Sequence, residues 1–426
     1  MISLGSILTL LGVLFLLLFL GVPIAFSLGL TGIVTIVTSM GMQYLSQIPL
    51  TLYGSLSEFI FVAIPLYVLM GEILYQGKSG ERLFMATRTW FHKVRGGTGI
   101  SSVLSYTFFA AIVGSSMTSV LTIGKIAIPE MVKENYSKKL SYGLSAIGGS
   151  LGILIPPSIP LIVYASLSGA SPGKLFIAGI VPGVLIATLL IIWTVIKSPV
   201  NQSSEGTISK GHYKSTFMAI PEMLLPLIVL GGIYAGVFTP TEAAAVGVVY
   251  AFIITMLIHK SIKLKDLLHI LIESVRTSSM LLMIVTGALI FGAALTLMGL
   301  PQFLSAEILG LDVSPWIVLL MMNIIWLLMG FFLEVVSIML ITTPIFFPIA
   351  MSLGFDPIWF GIIMVLNMEL AVITPPIGMN LFAIKSLYPK EKMGTIIQGV
   401  APYALFILFV LILVWVFPKI PLFLVE

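Results

Sequence analysis

Charged residues are scarce in this sequence: only 9% of its 426 residues are charged, while 58% are hydrophobic. A soluble domain typically carries about 25% charged residues, so this chain has too few polar side chains to cover a water-soluble core. Several uncharged runs, among them 2–21 and 404–417, reach the length of about 20 residues that a membrane-spanning helix needs. The composition therefore excludes a soluble domain and predicts an all-α polytopic membrane protein.

Cysteine is absent, which excludes disulfides, thiol catalysis and thiolate metal sites. The four histidines lie in predicted connections between spans, so a histidine metal centre is not expected; they are His92, His212, His259 and His269. The run 71–80 resembles a phosphate-binding loop, but its glycine spacing is one residue too long and no predicted strand precedes it. No pair of catalytic side chains occurs at one depth. We therefore expect no enzyme, no catalytic residue and no use of ATP.

The distribution of positive charge predicts how the chain crosses the membrane. Most of the 21 Lys and Arg residues fall in five connections, which the positive-inside rule assigns to the cytoplasm. The resulting order of spans places the N-terminus and the C-terminus on the outer side. The apolar run 96–131 has a basic cluster at each end, so we expect a re-entrant hairpin that enters and leaves on the cytoplasmic face. A second pair of apolar arms, 315–350, lies between connections without Lys or Arg and is expected to enter from outside.

The first half of the chain is read as one repeat of a single unit covering 1–426. This repeat spans 4–197 and contains the hairpin 96–131, followed by a helix that is broken at its centre, 140–168. The polar stretch 198–216 is expected to be a cytoplasmic linker to the second half.

The second half, 217–418, follows the same order of elements. It contains an amphipathic helix at 260–275, the hairpin 315–350 and a second broken helix at 357–386. Because the charge pattern gives the two halves opposite orientations, we expect an inverted-topology repeat with two re-entrant hairpins and two broken helices. This is an architecture of secondary transporters.

Two proline pairs break the predicted helices at matching positions. A shift of 219 residues places Pro156-Pro157 onto Pro375-Pro376. Proline has no backbone N–H, so each pair frees carbonyl groups that must face protein or water at membrane depth. Freed carbonyls suit Na⁺, and the N-termini of half-helices suit anions. A single proline pair is also a common structural kink, so the prediction of a binding site rests on the two pairs together.

The centres of the two hairpins add oxygen donors to these breaks. The first centre contributes the hydroxyls of Ser115, Ser116 and Thr118, and the second contributes the carboxylate of Glu334. Oxygen donors are the ligands that a hard cation needs. The serines also fit a role in helix packing, and Glu334 also fits a cap at the start of the second arm.

Two further charged residues have alternative interpretations. Glu369 lies just before the second break, where a hydrogen-bonded structural role and a role in ion coupling are both open. Lys125 lies within an apolar run, and it either attracts a substrate carboxylate or extends its ammonium towards the cytoplasm.

Three segments carry a resemblance to a known family. They are "GGSLGILIPPSIPLIVYA" (148–165), "GGIYAGVFTPTEAAAVGVVYA" (231–251) and "NMELAVITPPIGMNLFAI" (367–384). These segments resemble the large membrane subunit of the tripartite ATP-independent periplasmic (TRAP) transporters, and the resemblance covers essentially the whole chain. It implies an elevator-type, Na⁺-driven importer of an organic acid anion, such as a C4-dicarboxylate, sialic acid or another sugar acid. It also implies the bacterial inner membrane, with both termini in the periplasm, and two partners: a small four-helix membrane subunit and a periplasmic substrate-binding protein.

The resemblance also implies where Na⁺, the coupling ion, binds. One site would involve the first hairpin tip and the first broken helix, at Ser115, Ser116, Gly149, Gly152 and Pro156. The other would involve the second hairpin tip and the second broken helix, at Gly330, Glu334, Ala371, Thr374 and Gly378. The substrate is expected between them, at Ser116, Ser158 and Asn380. The family often has glycine where this chain has Ala371, which is compatible with a carbonyl ligand but not with a special backbone angle.

A rival hypothesis is a stand-alone Na⁺/carboxylate symporter that works without a binding protein. The physical properties of the chain do not separate it from the first hypothesis; only the family resemblance does. A passive anion channel is a further alternative, which saturation kinetics and counterflow would distinguish.

Overall fold

The structure is a computed structural model, and it describes residues 4–199, 212–311, 313–376 and 378–425. Within these ranges the regular secondary structure is helical throughout, without strands. In the same ranges, seven helices are long and apolar enough to cross a membrane, or eight if one bent pair forms a single span. Most of the predicted linker 198–216 lies outside the described residues.

The first half of the chain folds into ten α-helices joined by short connections. They are α1 (Leu4–Phe19), α2 (Ile24–Ser39), α3 (Gln47–Leu56), α4 (Ile60–Gln76), α5 (Ser79–Phe91), α6 (Gly97–Val113), α7 (Ser116–Lys133), α8 (Lys138–Leu154), α9 (Ile159–Ser168) and α10 (Pro172–Lys197), with a 3-10 helix at Met42–Ser46. The helices α6 and α7 are the arms of the first hairpin. The helices α8 and α9 are the two halves of the first broken helix.

Serine residues begin four successive helices of this half. The hydroxyl oxygens of Ser115, Ser137, Ser158 and Ser171 each accept a hydrogen bond from the backbone N–H three residues further on. A serine at this position satisfies one of the N–H groups that a helix start leaves without a partner. The starts of α7 to α10, and therefore the positions of the hairpin tip and the break, are determined locally by these caps.

The second half of the chain repeats the pattern. Its helices are α11 (His212–Tyr234), α12 (Pro240–Phe252), α13 (Leu267–Met298), α14 (Leu300–Gly310), α15 (Pro315–Met329), α16 (Val335–Ser352), α17 (Pro357–Ala371), α18 (Met379–Leu387), α19 (Met393–Val416) and α20 (Lys419–Leu422), with a π-helical turn at Ile253–Ile258 and a 3-10 turn at Leu264–Asp266. The helices α15 and α16 form the second hairpin, and α17 and α18 form the second broken helix.

The helices of the two halves match under one shift in sequence. The starts of α7 and α16, at 116 and 335, differ by 219 positions, and so do the starts of α8 and α17, at 138 and 357. The pairs α6 and α15, α9 and α18, α10 and α19, and α5 and α14 start within two residues of the same shift. The two halves are therefore structural repeats of one another.

Hydrogen bonds between the two broken helices show that the repeats are inverted. The hydroxyl of Tyr164, near the end of α9, donates to the carbonyl oxygen of Pro357 at the start of α17, at 2.7 Å. At the opposite end, Lys138 at the start of α8 forms an ion pair with Glu391, just beyond α18. The start of each broken helix thus lies beside the end of the other, so the two run antiparallel. The predicted fold class, with its inverted repeat, is confirmed.

The broken helices form the centre of the molecule. The residues of α8 from Leu140 to Leu154 and those of α17 from Ile358 to Ala371 are all buried. The second arm of each hairpin packs against the distal half of the opposite broken helix, with α7 on α18 and α16 on α9. The two hairpin tips therefore approach the centre from opposite sides.

The structure divides two segments differently from the sequence prediction. The expected third helix, 50–75, is split into α3 and α4, which are bent by 57° relative to each other. The polar residues Ser57 and Glu58 lie at this bend. The predicted amphipathic segment 260–275 is continuous from Leu267 with the span that follows, as the single helix α13. No Gly or Pro occurs between Leu267 and Thr286, so the helical hydrogen bonds continue through the segment.

Candidate functional site

The first hairpin tip lies directly against the first broken helix. A methyl group placed on Gly152 of α8 would lie 3.4 Å from the backbone of Ser115, and one placed on Gly149 would lie 2.9 Å from the carbonyl oxygen of Ser116. A methyl group on Gly149 would force its neighbours to move, so glycine allows the close approach there, whereas one on Gly152 would be in ordinary van der Waals contact with the tip. Four of the five residues predicted for the first Na⁺ site are brought together here.

The tip itself is organised by hydroxyl groups. The Ser115 hydroxyl oxygen accepts from the backbone N–H of Thr118 at 3.5 Å and from the Thr118 hydroxyl at 3.1 Å. Ser115 and Ser116 are both half-buried. Gly114, just before the tip, has φ +63°, and a methyl group there would lie 2.9 Å from the carbonyl oxygen of Pro157. Gly114 therefore joins the tip to the break, a role that sequence reasoning missed although the glycine beside the serines was its signal.

The first break leaves carbonyl groups without their usual helical partners. Residue 156 is proline, so the carbonyl oxygen of Gly152 has no N–H to accept from four residues on. The carbonyl oxygen of Ile153 also lacks its helical partner because residue 157 is proline, but it accepts a hydrogen bond from the hydroxyl of Ser158. The Gly152 carbonyl is therefore one acceptor that this break leaves without a partner among the described hydrogen bonds, and Gly152 itself packs against the Ser115 backbone.

The second hairpin tip meets the second broken helix in the corresponding way. A methyl group on Gly330, at the end of α15, would overlap the Cβ of Ala371 in α17 and would lie 3.3 Å from its Cα. Thr374 donates its hydroxyl to the carbonyl oxygen of Leu370 at 2.6 Å. Gly378 has φ +31°, and a methyl group there would lie 2.9 Å from the Thr374 carbonyl oxygen. Gly330 and Ala371 are thus in contact, and Thr374 and Gly378 are close across the break.

Glu334 occupies the position immediately before α16. Its backbone is extended, with φ −78° and ψ 152°, and its carboxylate lies close to the backbone N–H of Val336 and the hydroxyl of Ser337. Its carboxylate is half-buried at the second tip. The carboxylate therefore lies where it can cap the start of α16 or offer oxygen atoms to a cation, and the described contacts do not separate these two roles.

The three predicted substrate residues differ in accessibility. Ser116 is half-buried at the first tip, whereas Ser158 and Asn380 are fully buried. The hydroxyl of Ser158 is engaged with the Ile153 carbonyl, and the amide N–H of Asn380 donates to the carbonyl oxygen of Ala146 at 2.8 Å. Asn380 thus links the second broken helix to the first, and Ser116 is the one of the three that reaches an open surface.

A buried amide pair was not identified from the sequence. Asn367 of α17 donates to the backbone carbonyl of Asn323 in α15 at 3.1 Å and to its side-chain oxygen at 3.0 Å. The pair holds the second hairpin to the second broken helix. The available signal was that each asparagine stands alone within an apolar helix, where polar groups are expected to be paired or functional.

Glu369 lies on α17, two residues before Ala371, and is fully buried. Within the part of the chain that the structure describes, neither of its carboxylate oxygens has a hydrogen-bond partner. The structural, hydrogen-bonded role considered for it is therefore absent from the described contacts.

The two breaks differ in exposure. Pro156 and Pro157 are buried, whereas Pro375 and Pro376 are exposed. Met117, at the first hairpin tip, and Phe382 of α18 are also exposed. The second break is therefore the more exposed of the two.

The fold and the site together define a class: a membrane protein with the inverted-repeat fold of secondary transporters. The chain belongs to the family described as the tripartite ATP-independent periplasmic transporter, DctM component, whose model matches residues 11–420. The predicted family is thereby confirmed.

Two relatives illustrate this membership. The chain is 40% identical over 398 residues to the C4-dicarboxylate TRAP transporter large permease protein DctM of Pseudomonas aeruginosa, with 93% of each chain covered. It is 32% identical over 414 residues to the sialic acid TRAP transporter large permease protein SiaM of Vibrio cholerae, with 96% of each chain covered. This chain is therefore a TRAP transporter large permease.

A solved structure shares the fold at low sequence identity. The YdaH transporter of Alcanivorax borkumensis superposes with a TM-score of 0.58 at 17% identity, with 91% of each chain covered. The likeness supports the architecture of two repeats described above.

Proposed function

We propose that this chain is the permease of a Na⁺-coupled, binding-protein-dependent transporter that imports an organic acid anion across the bacterial inner membrane by an elevator mechanism. The observation that supports this most directly is the contact of each hairpin tip with a broken helix. The first contact lies at Gly152 and the second at Ala371. Such contacts join oxygen donors from two different elements, so a cation bound there stabilises one element against the other.

Na⁺ is the coupling ion in this proposal. The candidate donors at the first tip are the hydroxyls of Ser115 and Ser116 and the free carbonyl of Gly152, and at the second tip they are Glu334 and the backbone around Thr374. All are hard oxygen ligands, which suit Na⁺ better than a soft metal. Within the described residues no cluster of three His, Cys, Asp or Glu side chains occurs, so the donor set has the composition of an alkali-ion site and not of a transition-metal centre.

The proposed coupling follows from differential affinity. Na⁺ binding orders the two tips against the breaks and thereby preorganises the substrate position between them. The hairpins and the broken helices then move as one body against the remaining helices. Transport is coupled only if the body crosses easily when it is empty or fully loaded and poorly when it is half-loaded.

The proposed substrate class and partners follow from the relatives. Their names include a C4-dicarboxylate and sialic acid, both of which are organic acids. We expect a periplasmic binding protein to deliver the anion and a small four-helix membrane subunit to complete the permease. The positive charge of the predicted cytoplasmic connections supports an orientation with both termini in the periplasm.

The test is uptake of labelled anions into proteoliposomes that contain this chain and its small subunit. We expect uptake to require an inward Na⁺ gradient and the external binding protein. Uptake that persists without a Na⁺ gradient would contradict the coupling. Na⁺-driven uptake of the free anion without any binding protein would instead identify a stand-alone Na⁺/carboxylate symporter.

A further inference from the structure

Lys125 lies near the middle of α7, on the face that this helix exposes. It shares that face with Met117, Thr118, Leu121 and Thr122, which are exposed or half-buried, while the opposite face of α7 is buried. Because a helix rises about 1.5 Å per residue, Lys125 lies about 12 Å along the arm from Met117. The exposed face therefore leads from the first hairpin tip towards the predicted cytoplasmic side.

The composition of this face indicates contact with water. Its charge is the ammonium of Lys125; the hydroxyls of Thr118 and Thr122 on the same face donate to the Ser115 hydroxyl and to the Thr118 carbonyl. By contrast, every residue that α15 exposes is apolar; these residues are Trp316, Ile317, Leu320, Met321, Ile324, Ile325 and Leu328. Charged residues within membrane segments face a protein interior or a water-filled cavity. The face of α7 thus has the composition of a cavity wall, and the face of α15 that of a lipid-contacting surface.

The charge of Lys125 is not compensated within the described residues. The helices packed against α7 are α5, α6, α8 and α18, and their only carboxylate is Glu81. Glu81 forms no ion pair with Lys125 among the described contacts. Glu130, on α7 itself, is already paired with Arg88 at 2.5 Å and with Lys133 at 2.7 Å. An anion that approaches this face of α7 therefore meets an ammonium group without a described partner.

The inverted repeat provides an internal comparison. The position that matches Lys125 under the 219-residue shift is Pro344 of α16. Pro344, with Phe347 and Pro348, lines a cavity of about 430 Å³ on the opposite side of the candidate site, and no charged residue occurs among the described residues that line it. The fold therefore does not require a lysine at this position. Of these two matching positions, only that of Lys125 carries a positive charge.

We propose that Lys125 binds the carboxylate of the transported anion on the cytoplasmic part of its path, between the candidate site and the cell interior. This inference rests on the proposed function, because it takes an organic acid anion as the substrate. The ammonium lowers the free energy of the anion in the inward-open cavity and thereby sets the apparent affinity for substrate on that side. It has no counterpart on the outer side.

The experiment uses the complete transporter, with its small subunit and binding protein, in proteoliposomes. Only molecules whose outer face points outwards respond to external binding protein, so the vesicle lumen corresponds to the cytoplasm. Initial uptake is measured in vesicles preloaded with increasing concentrations of unlabelled substrate. Because attraction between a single charge pair across water is modest, we expect Lys125→Gln to raise the luminal concentration of half-maximal effect about 3- to 10-fold. The half-saturating external concentration should remain unchanged.

Two further variants separate this role from a general effect of charge. Lys125→Arg keeps the charge, so its luminal concentration of half-maximal effect should stay close to that of the unaltered transporter. Lys174→Gln removes another exposed lysine, at the start of α10 on the predicted outer side, and should leave the luminal value unchanged. Added KCl at constant Na⁺ should raise the luminal value of the unaltered protein but not that of Lys125→Gln, because salt shortens the range of attraction to an exposed charge from about 10 Å at 0.1 M to about 3 Å at 1 M.

An unchanged luminal value in Lys125→Gln would overturn the inference. If this variant does not fold, a luminal value of the unaltered transporter that is independent of KCl would overturn it as well. A change in stability that depends only on anionic lipid, with no change in the luminal value, would assign the ammonium to a lipid headgroup and contradict the proposal. Absence of all uptake by the unaltered transporter would instead contradict the proposed function itself.

Discussion

The contact between Gly330 and Ala371 offers the sharpest test of the candidate site. Gly330→Ala places a methyl group where the Ala371 methyl already lies, whereas its helical backbone, with φ −64° and ψ −13°, accepts alanine without strain. Overpacking of this kind costs about 1–3 kcal/mol. If the cost falls on the contact between tip and break, the Na⁺ concentration for half-maximal uptake should rise about 5- to 150-fold.

The matched variant moves the methyl group from one side of the contact to the other. In Gly330→Ala with Ala371→Gly, the atom of residue 371 nearest to the new methyl group is its Cα, at 3.3 Å. This distance is tight but tolerable, so the double variant should recover most of the Na⁺ affinity. Gly231→Ala, where an added methyl group would have no neighbour within 4 Å, serves as the control and should have little effect.

The assay is Na⁺-dependent uptake in proteoliposomes, together with the thermal denaturation of the purified protein. If the double variant needs as much Na⁺ for half-maximal uptake as Gly330→Ala alone, the reasoning is refuted. The loss of Na⁺ affinity would then not arise from contact with Ala371. Loss of uptake at every Na⁺ concentration with unchanged denaturation would place the effect in a step other than Na⁺ binding.

Three further predictions concern single side chains. Ser115→Ala and Thr374→Ala each remove a candidate oxygen donor and should raise the half-saturating Na⁺ concentration about tenfold, the equivalent of about 1.4 kcal/mol; unchanged Na⁺ dependence would remove that residue from the site. Glu222→Gln leaves Arg82, paired with it at 2.6 Å, without its buried anion and should destabilise the fold by about 3–5 kcal/mol in denaturation, whereas replacing both residues by Met should cost far less. Burial lowers the pKa of His259, although the nearby Glu222 acts in the opposite direction, so the unfolded chain binds the proton more tightly. The contribution of this histidine to the free energy of unfolding is present above its ordinary pKa of about 6.5 and is lost as the pH falls below that value. His259→Asn should therefore flatten the decline in melting temperature between pH 7 and pH 5.

The hairpins and the broken helices were predictable because their signals are local. Basic clusters at both ends of 96–131 imply that the segment turns back, and paired prolines interrupt a helix wherever they occur. The bend between α3 and α4 was missed because neither proline nor glycine stands at that point. The continuity of α13 was missed because the change from an amphipathic to an apolar pattern suggested a boundary that helix geometry does not require.

The site was predictable in part. Ser115, Gly149 and Gly152 were expected together and do lie together, because the cap at Ser115 and the two glycines are readable from the sequence. The pairing of Asn323 with Asn367 was not, because it depends on how α15 and α17 are rotated about their axes. Whether these residues bind Na⁺ or substrate stays a prediction.

The sequence by itself determined the membrane class, the two repeats and the positions of the tips and breaks, because charge, caps and proline act over a few neighbouring residues. The family followed from motifs that are continuous in the chain. Only the tertiary structure decided that Gly152 packs against the Ser115 backbone, that Pro375 is exposed while Pro156 is buried, and that Lys125 is exposed on α7. Each of these depends on the packing of helices far apart in sequence, where small changes in rotation determine which atoms meet.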